Sequence, residues 1–247
     1  MIKFSIVTVC LNSENTIRQT IESVTNQNYS QIEYIIIDGD SSDETLNIIS
    51  NYRSDIDVLI SEPDNGIYSA MNKGLRASSG DVIFFLNADD MFVDFEVIRE
   101  IAQVFHTHSH LELLYGNVIW DIDGNNVRRK SPATINRKFF GRRTLIHQTI
   151  FTKRSVFEKS GLFSENLRVV SDYQWLLTVF LRDKPNYLYY DRDICLMGTS
   201  GRSWTTDWEA ERRQVMKQYF NTFEILHLRS IPILVKHLKR FLKTMLK

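Results

Sequence analysis

Asp81-Val82-Ile83-Phe84-Phe85-Leu86-Asn87-Ala88-Asp89-Asp90 decides how this 247-residue chain is read. The apolar run from Val82 to Leu86 is too continuous for a half-exposed strand, and it stops abruptly on an amide and two carboxylates. Strands apolar on both faces lie between helix layers in parallel sheets. The same pattern recurs upstream at Phe4–Val9, Glu33–Ile37 and Val58–Ser61, each followed by polar turn residues. Helical spacing separates these runs: Ile17, Ile21 and Val24 on one face, then 45–52, then 66–77. The alternation predicts an α/β fold, a mostly parallel, Rossmann-like sheet with helices on both faces.

The downstream half is less regular. Residues 95–108 read as a helix, and 113–120 with 126–130 as strands around the Asp123-Gly124 turn. Residues 140–152 give no clear pattern, 170–180 read as a helix, and 187–190 as a short strand. Charges balance at 30 basic and 30 acidic residues, so no global field draws the chain toward nucleic acid. From His227 onward, however, six basic residues stand with no acid, leaving 24 basic against 30 acidic residues in the rest. Cys10 and Cys195 lack metal-type spacing and read as buried thiols. No signal peptide is recognisable, and no apolar run reaches the roughly 18 residues that span a bilayer. A cytoplasmic location is the expectation.

In open α/β sheets, ligands bind beyond the carboxyl ends of the strands. Polar residues cluster at four such ends here: Thr8 to Asn12, Asp38 to Asp43, Glu62 to Gly66, and Asn87 to Asp90. Any one of them is explained by a turn or a helix cap; four together describe a site. Asn87-Ala88-Asp89-Asp90 offers the oxygen donors that Mg2+ or Mn2+ prefer, and such a cation neutralises phosphate charge. Asp38 can accept from a nucleobase or ribose group, while Gly39 permits the turn and Ser42 or Asp43 caps a helix. Asn65-Gly66 is a turn dipeptide. Asn72 and Lys73 are too polar for a plain core face, and Lys73 suits a phosphate as well as an exposed helix. No Gly-rich phosphate loop is present.

In order along the chain come Phe4–Val9 with Asn12, Asp38-Gly39-Asp40-Ser41-Ser42-Asp43-Glu44-Thr45, Asn65-Gly66-Ile67-Tyr68, Ala70-Met71-Asn72-Lys73-Gly74 and Leu86-Asn87-Ala88-Asp89-Asp90. Over roughly residues 3–205 this series resembles the family 2 glycosyltransferases, and within them bacterial enzymes of exopolysaccharide, capsule and O-antigen assembly of the colanic-acid type. The resemblance implies a GT-A fold, an inverting mechanism, a divalent metal (Mn2+ or Mg2+) and a UDP-sugar or, second, a GDP-sugar donor. It implies a nucleotide site built from Thr8, Cys10, Asn12, Asp38, Asp40, Asn65, Gly66, Asn72, Lys73, Asn87, Ala88 and Asp89. His147-Gln148 resembles the acceptor-side segment, and Val170-Ser171-Asp172-Tyr173 the segment that supplies the base, which makes Asp172 the catalytic residue. Gly198-Thr199-Ser200-Gly201-Arg202-Ser203 resembles the loop that closes over the diphosphate, with Ser200 and Arg202 as its contacts.

The chain departs from the family pattern at three places. Asn87 replaces a common acid, so Asp89 becomes the principal metal carboxylate. Ser69 stands where many relatives carry Asp, and Ser171-Asp172 where many carry Glu-Asp. The implied organisation is a glycosyltransferase domain over 1–206, with a nucleotide-binding half 1–92 and an acceptor half 93–206, followed by a helical basic tail at 207–247. Within that tail, Leu228, Ile231, Leu234, Val235, Leu238, Phe241, Leu242 and Met245 follow helical spacing among lysines and arginines. Such a helix fits an anionic membrane surface, peripheral on the inner face of the cell membrane and near a saccharide acceptor carried on polyprenyl diphosphate. It fits equally well against the domain itself or a second subunit in a homodimer. Two other functions share the sheet: a nucleotide-sugar-binding protein without turnover, and a nucleotidyltransferase. The first would lack Asp172 or the metal carboxylates; the second would carry a basic Gly-rich loop where Cys10-Leu11-Asn12-Ser13 stands.

Overall fold

In the computed structural model, residues 1–122, 124–198 and 208–225 are described. The apolar runs become β1 (Phe4–Cys10), β2 (Ile32–Asp38), β3 (Val58–Ser61) and β4 (Val82–Phe85). They pair in parallel in the order β3-β2-β1-β4, with Val7 beside Ile35 on one side and Phe85 on the other. Between them run α1 (Ile17–Thr25), α2 (Thr45–Ser50) and α3 (Ile67–Ala77). The sheet continues past β4 as β8 (Ile150–Lys153), β6 (Leu113–Ile122), β9 (Tyr187–Met197) and β5 (Asp90–Phe92), while β7 (Asn125–Arg129) forms a hairpin with β6. In this second half only β6 and β9 pair in parallel. The helices here are α4 (Val97–Thr107), the short α5 (Arg137–Phe140), α6 (Arg154–Ser160), α7 (Ser171–Thr178) and α8 (Glu209–Tyr219).

Alternation along the strands divides the core into two layers. Val7, Val9, Ile35, Ile37, Ile83 and Phe85 face α3, α6, α7 and α8, where Phe157 stacks on Trp175 at 4.5 Å. Phe4, Ile6, Tyr34, Ile36 and Phe84 face α1 and α4, where Phe84 stacks on Phe151 at 4.2 Å. Gly74 lets α3 lie directly on β1, because a Cβ there would collide with Val7 Cγ1. This close seat fixes the start of α3, and so the position of Tyr68, relative to the strand ends.

The structure extends the second half beyond its sequence reading. Strand β9 runs to Met197 rather than stopping near Tyr190, since Asp191, Arg192 and Asp193 sit in a solvated stretch where charge does not end pairing. Strand β8 comes largely from the stretch with no clear pattern, and β5 begins within the carboxylate motif itself. Among the described residues no helix is long and apolar enough to cross a membrane. The basic tail from 226 onward lies outside the described residues, as do Ser200 and Arg202.

Candidate active site

The turn that follows β4 is held from below. Leu86 N–H continues the ladder to the Val7 carbonyl, and Asp90 N–H closes on the Asn87 carbonyl at 3.1 Å. Thr20, on the buried face of α1, places its hydroxyl 2.9 Å from the Ala88 carbonyl and 2.7 Å from that of Asp90. Asp90 is buried, at 1% exposure; its carboxylate accepts from Gln148 Nε2 at 3.0 Å and from Gly198 N–H at 3.3 Å. Burial, reinforced by the neighbouring Asp89 charge, holds the Asp90 carboxyl well above the usual carboxylate range. Asp89 is partly exposed, and burial raises its carboxyl too, against a lowering by its own backbone and the nearby His147. Beside it, Asn87 Oδ1 is buried with no hydrogen-bond partner among the described residues.

Asp172 enters from the opposite side, in the first turn of α7. Its Oδ2 lies 3.3 Å from His147 Nδ1, and its Oδ1 lies 3.0 Å from the Tyr68 hydroxyl and accepts from Tyr173 N–H at 2.8 Å. The loop leading to it is tied down by α8, whose Glu211 carboxylate accepts from Arg168 and Val169 N–H at 2.8 and 3.0 Å. His147, Asp172 and Thr152 form the polar part of a cavity otherwise lined by Ile83, Phe85, Ile150, Phe157, Phe163, Trp175 and Leu176. His147 Nε2 is buried without a partner among the described residues. The 147–148 turn therefore links the two carboxylate sites: Gln148 binds Asp90, and His147 reaches Asp172.

The ends of β1, β2 and β3 form a second, more closed cluster. The Asp38 carboxylate is fully buried and faces four donors: Ser41 Oγ at 2.5 Å, Ser41 N–H at 3.0 Å, Ser61 Oγ at 2.8 Å and the Cys10 thiol at 3.5 Å. Burial, with Asp38 alongside, pushes the Cys10 thiol far up, so it stays protonated. Thr8 is buried, 3.2 Å from the Tyr34 hydroxyl. Asn12 adopts φ +50° and accepts from Ser42 N–H at 2.9 Å, so its amide organises the β2–α2 loop. Asp40, at φ +69°, and Asn65 are exposed beside it. Gly66, at φ +116°, gives its N–H to Asp64 Oδ1 at 2.7 Å and starts α3.

Two predicted residues are engaged elsewhere. Asn72 is buried, with its amide bonded to the Phe163 backbone in both directions and to Glu165 Oε1. Lys73 pairs with Glu62 at 2.8 Å and donates to the Pro63 carbonyl at 3.0 Å. The structure thus brings Asn87, Ala88, Asp89, His147, Gln148 and Asp172 together, and groups Thr8, Cys10, Asn12, Asp38 and Asp40 in an adjoining cluster. The sequence reading left out Thr20 and Tyr68 as site residues. Thr20 carried a signal, a lone hydroxyl between Ile17 and Ile21 on an apolar helix face. Tyr68 gave none, because its partners are more than a hundred positions away.

A divalent cation fits the donor set at Asn87 and Asp89. The Asp89 carboxylate receives no hydrogen bond from another described side chain, and the orphaned Asn87 Oδ1 is a hard oxygen donor. Among the described residues no group of three His, Cys, Asp or Glu side chains gathers to hold a metal. Mg2+-type ions can be held by one or two protein oxygens, with phosphate and water filling the rest.

Known proteins agree with this architecture. Over 180 residues the chain is 29% identical to a PGL/p-HBAD biosynthesis glycosyltransferase of Mycobacterium bovis, covering 72% of this chain and 69% of that protein. The S. aureus TarS 1-349 structure with UDP-GlcNAc superposes with a TM-score of 0.74 at 20% identity, covering 88% of this chain and 65% of that one. This chain thus spans slightly less than two thirds of the TarS fragment. The Pyrobaculum calidifontis mannosyltransferase PcManGT, in complex with GDP-Man and Mn2+, gives 0.66 at 14% identity, covering 92% of this chain and 68% of that one. At such identities the structures speak for the fold, which is of the GT-A type. The sequence profile of glycosyl transferase family 2 matches residues 5–162, more than half of the chain. The chain belongs to glycosyl transferase family 2 and is a glycosyltransferase.

Proposed function

We propose that this enzyme transfers a hexose with inversion from a UDP-sugar to a saccharide hydroxyl, and that Asp172 is the base. The observation that carries the reading is the Asp172 carboxylate in a cavity wall, joined through the 147–148 turn to the Asn87–Asp90 segment. An inverting transfer needs one carboxylate to receive the acceptor proton while the opposite face of the sugar loses its leaving group. The acceptor oxygen attacks the anomeric carbon, the bond from that carbon to the diphosphate oxygen breaks, and the acceptor proton passes to Asp172. Asp89, with Asn87 beside it, would hold the divalent metal; when bound, the metal neutralises charge on the departing diphosphate. Asp90 orients Gln148 and the Gly198 backbone around that segment.

The nucleotide lies against the ends of β1 and β2, where Thr8, Cys10, Asn12, Asp38 and Asp40 meet, with Asn65 and Gly66 at the rim and Asn72 and Lys73 behind it. Support comes from TarS and PcManGT, bound to UDP-GlcNAc and GDP-Man respectively on the same fold. A GDP-sugar is the second donor class. In the same reading, residues 1–92 serve the nucleotide, 93–206 the acceptor, and 207–247 a membrane surface bearing a polyprenyl-diphosphate-linked saccharide of cell-surface polysaccharide assembly. The test is incubation with Mn2+ and a panel of UDP- and GDP-sugars, following nucleotide release and the anomeric configuration of the product by NMR. Release with one donor and an inverted product are expected. No release from any donor, or Asp172→Ala and Asp89→Ala turning over like the parent, overturns the mechanism.

A further inference from the structure

Glu211 stands past residue 162, where the family 2 match ends, and past residue 206, where the sequence reading closes the domain. It nevertheless holds the backbone that carries Asp172. Its Oε1 accepts from Arg168 N–H at 2.8 Å and its Oε2 from Val169 N–H at 3.0 Å, so both oxygens of one carboxylate are occupied by successive peptides. The Val169 carbonyl accepts in turn from the Tyr68 hydroxyl at 2.7 Å, and that hydroxyl also donates to Asp172 Oδ1 at 3.0 Å. Val169 is therefore gripped by α8 on one edge and by α3 on the other, just ahead of the carboxylate. Helix α7 does not set its own start. Val170, at its N-cap, has no polar side chain, where Ser, Thr, Asp or Asn commonly accepts from the open N–H groups. Ser171 Oγ is buried without a partner among the described residues, and residues 161–170 form no helix or strand whose ladder could fix them.

We propose that Glu211 is a positioning residue for the transfer: it fixes the backbone at 168–169 so that the Asp172 carboxylate keeps its place between His147 and Tyr68. This rests on the base role given to Asp172 above. Helix α8 gives Glu211 a firm support. Val215 and Met216 are buried in the same core layer as Tyr173 and Trp175, Arg212 lies over the Tyr173 ring at 5.2 Å, and Gln174 donates to Gln218 at 3.1 Å. Those contacts hold the body of α7, whereas Glu211 reaches the irregular backbone in front of it. A general base works only within hydrogen-bond reach of the proton it takes. A displacement of about 1 Å, caused by a change outside the chemistry, can cost up to about a hundredfold in rate. Without the Glu211 carboxylate two adjacent N–H groups lose their acceptor, the Val169 carbonyl is free to turn, and the Tyr68 hydroxyl that meets Asp172 turns with it.

Glu211→Ala in the full chain, assayed well below its melting temperature, should lower kcat about tenfold. The affinity for UDP with Mn2+, measured by calorimetry, should stay within about twofold of the parent's, because the nucleotide side is untouched. Parent-like kcat in the folded variant overturns the proposal. A cycle with Asp172→Asn separates positioning from general support of the fold. If Glu211 acts through Asp172, adding Glu211→Ala to Asp172→Asn should change the residual rate by less than about twofold. A further loss of about tenfold in that background would mean that Glu211 acts independently of Asp172, and it overturns the proposal. Asp172→Asn turning over at the parent rate refutes the base role itself, a result distinct from any rate that Glu211→Ala gives. Should Glu211→Ala fail to fold, Glu211→Gln serves. Its amide oxygen can accept from one of the two N–H groups while its NH2 meets the other, so kcat should fall about threefold. Parent-like kcat in a folded Glu211→Gln overturns the proposal as well.

Discussion

Glu33 and Asp90 are both buried carboxylates of one sheet, at opposite ends of its strands, and their surroundings are opposite too. Glu33, early in β2, accepts from Lys3 at 2.8 Å, from Ser5 at 2.5 Å, from Ser79 N–H at 2.7 Å and from the Ser79 hydroxyl. Burial pushes its carboxyl up, but these hydrogen bonds outweigh it and bring it down to about 2. Asp90, past the carboxyl end of β4, has two donors and a second carboxylate next to it, and it is driven upward. Near it, among the described residues, lie buried atoms without partners, Asn87 Oδ1 and His147 Nε2. At the amino end polar groups satisfy one another and hold the fold. Past the end of β4, among the described residues, Asn87 Oδ1 and His147 Nε2 are left incomplete, and incomplete polar groups are what a ligand can complete.

The strongest way to break this contrast is Asp172→Asn. It should lower kcat about a thousandfold while the melting temperature stays near that of the parent. A large stability loss instead would make Asp172 a fold residue like Glu33. Next comes Asp89→Ala, expected to cost about a hundredfold in Mn2+-supported turnover, with weakened Mn2+ binding in a titration without donor. Parent-like binding would move the metal away from this carboxylate.

Glu33→Gln probes the other end. It should cost about 2 kcal/mol in urea unfolding, with turnover per folded molecule unchanged, because donors built for a charge would face an amide. The pH dependence has a definite sign here. The folded value lies below the unfolded one of about 4.5, so Glu33 stabilises fully above that pH. That stability is lost as pH falls toward about 2, and Glu33→Gln should flatten the decline. Asp90→Asn is the smallest and opposite case. A folded value raised above the unfolded one makes the parent lose stability as pH rises from about 4. In chelator, Asp90→Asn should therefore gain about 1 kcal/mol relative to the parent at pH 8, and nothing at pH 3. Equal stability at both would mean Asp90 carries no burial penalty.

Much of the first half was legible because its strands are buried on both faces. Phe4–Val9, Glu33–Ile37 and Val82–Leu86 have no solvated side to blur the pattern, and their pairing follows. The second half was harder for a physical reason. Strand β9 carries Asp191, Arg192 and Asp193 with Arg128 and Glu100 as partners, so its pattern reads as surface. Strand β5 is three residues long and owes its pairing to β9, a hundred positions away. Asp38 shows how site reading is limited: the sequence marks an acid at a strand end, but only packing shows that four donors already surround it.

By itself the sequence determined the α/β layering, the family and the polar strand ends, because periodic burial and short ordered motifs are local properties of a chain. The tertiary structure alone decided which polar groups are complete and which are not. It brought the Tyr68 hydroxyl to donate to Asp172, His147 between Asp172 and Asp89, and Thr20 beneath the Ala88 and Asp90 carbonyls. Hydrogen-bond completeness depends on partners that folding brings from distant positions, and no local pattern records it.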